Sequence, residues 1–126
     1  MTSTSQQWTG RALSTLAILF LVFDGIGHLL MPAPVTQAFA TLGYPTSTAF
    51  GIGLLELALI AMYAIPRTSI AGAILLTGYL GGAVAAKVRV TAAPFDTAFP
   101  IIMGTVIWAG VFLRDARVRA IWGGQP

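Results

Sequence analysis

The chain has 126 residues, 56% of them hydrophobic and only 9% charged, with no cysteine and a formal net charge of +3. Soluble domains carry roughly 25% charged residues, and a soluble fold this small keeps about 30% of its unfolded surface in water. So apolar a chain is therefore expected to sit in lipid, as one membrane domain. The missing thiols exclude disulfides, thiol redox chemistry, iron–sulfur ligation and cysteine-based zinc sites within the chain. The positive charge comes from few groups, several of them at the ends of apolar runs, and no basic stripe is interleaved with aromatics. It reads as membrane orientation, and no nucleic acid partner is expected.

Four apolar segments follow in chain order, at about residues 12–31, 49–65, 69–88 and 98–113. Each approaches the ~20 residues needed to cross ~30 Å of hydrocarbon as a helix. Pro32 and Pro34 end the first, and Ser47 or Thr48 offers an N-cap for the second. Pro66-Arg67-Thr68 is short enough to be a tight hairpin between the second and third. Pro94 precedes the fourth, and Pro100 falls in its first turn, where a missing N–H costs little. A signal peptide is a rival reading of the first segment, with Arg11 in its n-region and Ala38-Phe39-Ala40 at the cleavage site. Its apolar run is too long for a typical h-region, and Asp24 and His28 interrupt it, so a retained helix is expected.

The expected fold is all-α: an integral membrane four-helix bundle, up-down-up-down, with both termini on one side. That side carries Arg11, Arg67, Arg114, Arg117 and Arg119, and the other carries only Lys87 and Arg89. The positive-inside rule makes both termini cytoplasmic. Trp8 and Trp122 then read as aromatic anchors at the cytoplasmic interface.

Within this topology the ionisable residues converge. Asp24 and Glu56 each lie about seven residues, or about 10 Å, from the outer ends of the first and second spans. His28 is one turn beyond Asp24 on the same face. Lys87 and Arg89 close the outer end of the third span, while the cytoplasmic halves read as almost purely apolar. Charged groups in hydrocarbon cost at least a few kcal/mol each and by default mark a site. Asp24, His28, Glu56, Lys87 and Tyr79 are the candidates for ligand binding or proton exchange. Convergent polar groups in an apolar wall suit an amphiphilic ligand. The structural alternatives are a buried Asp24–Lys87 or Glu56–Lys87 ion pair serving packing alone, a snorkelling Lys87, or a protonated Glu56 bonded to a neighbouring helix. Tyr63 and Trp108 read as core packing. No metal site is expected. Gly78, Gly82 and Ala86 form a small-residue row that places the third helix at the bundle centre or at a subunit contact.

Taken together, several segments resemble the DoxX-like family of small bacterial membrane proteins. They are Phe23-Asp24-Gly25-Ile26-Gly27-His28-Leu29, Leu42-Gly43-Tyr44-Pro45, Gly53-Leu54-Leu55-Glu56-Leu57, and the run from Leu75 to Ala85. Trp108 and Leu113-Arg114-Asp115 complete the set, so the resemblance covers essentially the whole chain. The family takes its name from a subunit of an archaeal terminal quinol oxidase, and some relatives are linked to thiosulfate–quinone redox chemistry. The resemblance thus implies a quinone-like ligand and a redox partner subunit. Lys87 stands where relatives carry a histidine in a Gly-Gly-Ala-Val-Ala-x-His pattern, which puts histidine-dependent chemistry in doubt here.

Function is expected along one of three lines. The first is binding of a quinone-like or other amphiphilic small molecule in association with a redox system. One histidine and no thiolate cannot hold a haem or an iron–sulfur cluster, so electrons must come from the ligand or a partner. The second is a structural or assembly partner of another membrane protein, or a homo-oligomer, with the polar cluster as glue between helices. The third is a cofactor-free isomerase or hydrolase acting on a lipid-like substrate, although no nucleophile motif is present. A transporter ranks below these, because no inverted repeat or broken helix is evident.

Overall fold

The computed structural model describes residues 3–90 and 93–123. They form six helices and, among the described residues, no strand: α1 (Thr4–Leu30), α2 (Ala33–Leu42), α3 (Thr48–Ala64), α4 (Ser69–Val90), α5 (Pro94–Arg114) and α6 (Ala116–Gly123). The four long helices match the four apolar segments, with shifted ends. α1 starts well before residue 12, because the Ser3 hydroxyl caps it by accepting from the Gln6 N–H at 3.1 Å. It stops at Met31, which adopts a left-handed conformation (φ 49°) ahead of Pro32. α5 starts four residues earlier than expected, with Pro94 in its first turn. Pro100 consequently lies inside the helix and is buried in the packing.

Two helices were not legible as such. Residues 33–42 lie between the first two apolar segments, just past Pro32, and form α2. It closes on Gly43 at φ 81°, a backbone conformation that glycine adopts without strain. Arg89 of α4 donates to the Leu42 carbonyl at 2.5 Å and so fastens the end of α2. α6 follows a single non-helical residue, Asp115. The Asp115 carboxylate accepts from the Arg117 guanidinium at 2.7 Å and from the Arg117 backbone N–H at 2.9 Å. The Arg117 side chain holds the Asp115 carboxyl below its ordinary value. Arg117 also donates to the Pro66 carbonyl at 2.8 Å, tying α6 to the α3–α4 hairpin.

α1 packs against α3 and α5, and α4 packs against the same two helices from the other side. The shared core includes Ala17, Leu21, Tyr63, Leu76, Ile107 and Val111. Neighbouring helices run antiparallel, and small residues let them close. A Cβ at Gly53 would lie 2.8 Å from the Gly25 carbonyl oxygen and 2.8 Å from the His28 Cβ. A Cβ at Gly10 would lie 2.9 Å from the Gly110 carbonyl oxygen. Such near-contact of backbones is the way helices associate where hydrophobic burial supplies no drive. By contrast Gly78, Gly81 and Gly82 meet nothing within 4 Å. The small-residue row on α4 therefore faces outward, not toward the bundle centre.

The outward surface is apolar. Leu19, Phe23, Leu30, Ile74, Phe95 and Ile101 are all more than half exposed. An outer surface carrying so many exposed large apolar side chains suits contact with lipid chains.

Candidate functional site

Three helices bring their polar residues to one place. α1 contributes Asp24 and His28, one turn apart, and α3 contributes Glu56 from opposite them. The His28 Nδ1 lies 3.3 Å from Glu56 Oε2 and 3.5 Å from Asp24 Oδ2. The same nitrogen lies 2.9 Å from the Asp24 backbone carbonyl oxygen. From α4, the Tyr79 hydroxyl donates to Glu56 Oε2 at 3.0 Å. The Gly25–Gly53 contact is what makes this possible, because it seats α1 directly on α3 at the level of these side chains.

Burial grades across the site. The Glu56 side chain is 0% exposed, His28 15% and Asp24 50%. Glu56 thus forms the floor and Asp24 the mouth. Phe39 of α2 meets the His28 ring edge-on at 5.5 Å between centroids and is itself buried. Glu56 Oε1 is buried and finds no hydrogen-bond partner among the described residues. Buried polar atoms are nearly always satisfied, so an orphaned carboxylate oxygen needs a reason.

Lys87 does not join this group. It lies eight residues beyond Tyr79 on α4, about 12 Å along the axis. There it lines a recess with Ala38, Thr41, Leu42, Val90 and Asp96. Neither of the alternative Asp24–Lys87 and Glu56–Lys87 ion pairs forms; His28 lies against both carboxylates instead. Trp108 packs beside α4, as expected of it, and its Nε1 donates to Thr77 Oγ1 at 2.7 Å. It borders an apolar recess of about 720 Å³ between α4 and α5.

The opposite end of the molecule is not purely apolar, contrary to expectation. The Tyr63 hydroxyl donates to the Ile107 carbonyl at 2.7 Å and lies 2.9 Å from Ser14 Oγ. Arg114 turns inward over the Tyr63 ring, 5.0 Å from its centroid. It donates to Ser14 Oγ at 2.8 Å, Ser69 Oγ at 2.6 Å and the Tyr63 carbonyl at 3.1 Å. This second layer joins α1, α3, α4 and α5. It was missed because Arg114 reads as an orientation charge and because serines in apolar runs attract no notice. The available signal was that Ser14, Tyr63, Ser69 and Arg114 occupy helix positions at one level. Every one of these groups is satisfied, so the layer serves cohesion.

Among the described residues, three helices, α1, α4 and α5, are long and apolar enough to cross a membrane, and α3 is a shorter apolar helix of 17 residues. With a lipid-compatible skin and a polar cluster inside, they define a helical membrane protein. The chain belongs to the DoxX-like family, whose model matches residues 12–110. That stretch contains Asp24, His28, Glu56, Tyr79 and Lys87. No curated protein and no solved structure matches the chain.

Proposed function

We propose that the chain is a single transmembrane domain in a bacterial cytoplasmic membrane, with α1, α3, α4 and α5 as a four-helix bundle and both termini cytoplasmic. Its polar cluster binds a quinone-like or related amphiphilic molecule in association with a redox system. The distribution of arginines supports the orientation. α3 spans only about 26 Å by its length, close to the ~30 Å of hydrocarbon, and it packs between α1 and α4.

The observation that carries the ligand reading is the orphaned Glu56 Oε1 in a fully buried side chain. A carboxyl group there accepts from a ligand hydroxyl when ionised and donates to a ligand carbonyl when protonated. Tyr79 and His28 fix its other oxygen, so the free one is held ready. Quinones and quinols present those two oxygen types on an apolar body. The half-exposed Asp24 faces the mouth, where a headgroup would pass. Lys87 lines a separate recess about two turns along α4, and a redox partner subunit supplies the electron carrier.

A short-chain quinone titrated into the detergent-solubilised protein tests this, followed through tryptophan fluorescence. Saturable one-to-one binding is expected, weakened about 10–100-fold in Glu56→Gln, as befits one hydrogen bond to a charged group. Equal, non-saturating partition into both proteins would remove the assignment.

A second reading has one observation in its favour. Gly78, Gly81 and Gly82 open onto empty space, which suits a second copy or a partner's helix docking on α4.

A further inference from the structure

Asp24, His28 and Glu56 each offer a ligating atom, and those atoms all lie within 4.8 Å of one another. No spacing rule in the sequence announces this, because Glu56 comes from a different helix. An ion bonded tetrahedrally at about 2.0–2.2 Å needs neighbouring ligand atoms roughly 3.3–3.6 Å apart. The His28–Glu56 and His28–Asp24 separations of 3.3 Å and 3.5 Å already match that edge. Only the Asp24–Glu56 edge has room to shorten, and Asp24 is the half-exposed member that can rotate.

Charge points the same way. Two carboxylates sit within a few ångströms of each other in an apolar bundle, and one imidazole is their only basic neighbour among the described residues. A protonated His28 cancels one negative charge, whereas a divalent cation cancels both. The cation also gives the orphan a partner: with Oε2 on the metal, Glu56 Oε1 can accept from a water bound at the open coordination position. Tyr79, donating to Oε2, then acts as the outer partner that orients the ligand, as metal-bound carboxylates usually require.

We propose that Asp24, His28 and Glu56 form a binding site for a divalent cation of borderline softness, of the zinc type, with one coordination position left open. A nitrogen and two carboxylates suit such an ion. His28 binds through Nδ1, exchanging its contact with the Asp24 carbonyl for the metal. The open position faces the mouth between α1 and α2, where an oxygen of water or of an amphiphile completes the shell. The inference rests on the geometry of the three side chains and holds whichever organic molecule the site takes.

The test uses full-length, tag-free protein in detergent, stripped with a chelator and reloaded with Zn²⁺ alone. Metal is counted by mass spectrometry, and Co²⁺ loading gives a visible absorption band as a second readout. One zinc per chain is expected. Glu56→Gln and Asp24→Asn should each weaken it by more than about 100-fold, beyond the roughly 10–100-fold loss that follows removal of an outer-shell partner. Asp24→Asn changes a half-exposed group, and an unchanged elution volume on size exclusion shows that its fold is kept. Substoichiometric zinc on the wild type, or equal zinc on all three proteins, would overturn the proposal. Quinone binding measured on the same preparations separates the two ideas. Wild type that binds quinone but fails to hold stoichiometric zinc contradicts this site alone, and wild type that holds one zinc but binds no quinone contradicts the amphiphile reading alone.

Discussion

Gly53→Ala should push α1 and α3 apart and break the contact between His28 and Glu56. The added methyl would stand 2.8 Å from the Gly25 carbonyl oxygen and 2.8 Å from the His28 Cβ. Neither neighbour is the free end of a flexible side chain, so a backbone must move. Overpacking of this kind costs about 1–3 kcal/mol. The local effect is larger than the global one, because His28 departs from Glu56 and the site loses its geometry. Gly78→Ala is the matched control: its methyl meets nothing within 4 Å, so the monomer should tolerate it, and a changed oligomeric state would place a partner on α4. Thermal unfolding in detergent, with quinone and zinc titrations on the same samples, checks the pair. Identical behaviour of Gly53→Ala and Gly78→Ala would mean that the Gly25–Gly53 crossing does not position the site.

Arg114→Leu should loosen the other end of the bundle without touching the site directly. The substitution removes three hydrogen bonds, to Ser14, Ser69 and the Tyr63 carbonyl. Interhelical hydrogen bonds in membranes average roughly 0.6 kcal/mol, so about 2 kcal/mol is expected in all. Arg114→Lys should not restore the loss. An ammonium lacks the planar fork that reaches three acceptors on three helices at once. The readout is the detergent unfolding midpoint, lowered in both variants. An unchanged midpoint would show that this layer is incidental to cohesion.

The residues differ in how far sequence could place them. Asp24 and His28 are four apart, so a helix puts them on one face by geometry alone. Glu56 could be brought to their level from its depth in the second apolar run, and Tyr79 from the third. These inferences need only helix rise and antiparallel connection. Lys87 was placed in the same group by level, yet level was not enough. It stands two turns past Tyr79 and faces α2, an element that was itself hidden. α2 was hidden because Pro32, Pro34 and the flanking polar residues resemble loop chemistry, and its ten residues are held by tertiary contacts such as that of Arg89. The glycines show a similar limit. The evenly spaced row on α4 was conspicuous and faces outward, whereas the single glycines Gly25 and Gly53 mark the crossing. Spacing within one helix reveals a smooth face, but only the partner helix decides which smooth face is used. The metal-type geometry was out of reach for the same reason: its ligands come from two helices, and the decisive quantity is the separation between them.

The Asp24–His28–Glu56 cluster is proposed as a binding site inside the helices, not a packing device. The most direct measurement is to purify wild type and Glu56→Gln side by side in mild detergent and extract both for mass spectrometry of bound small molecules. A stoichiometric quinone-like or similar amphiphile is expected with the wild type and its loss from the variant, with both proteins equally folded. No bound molecule in either protein, together with a wild-type oligomer that falls apart in Glu56→Gln, would contradict it and assign the buried carboxylate to assembly.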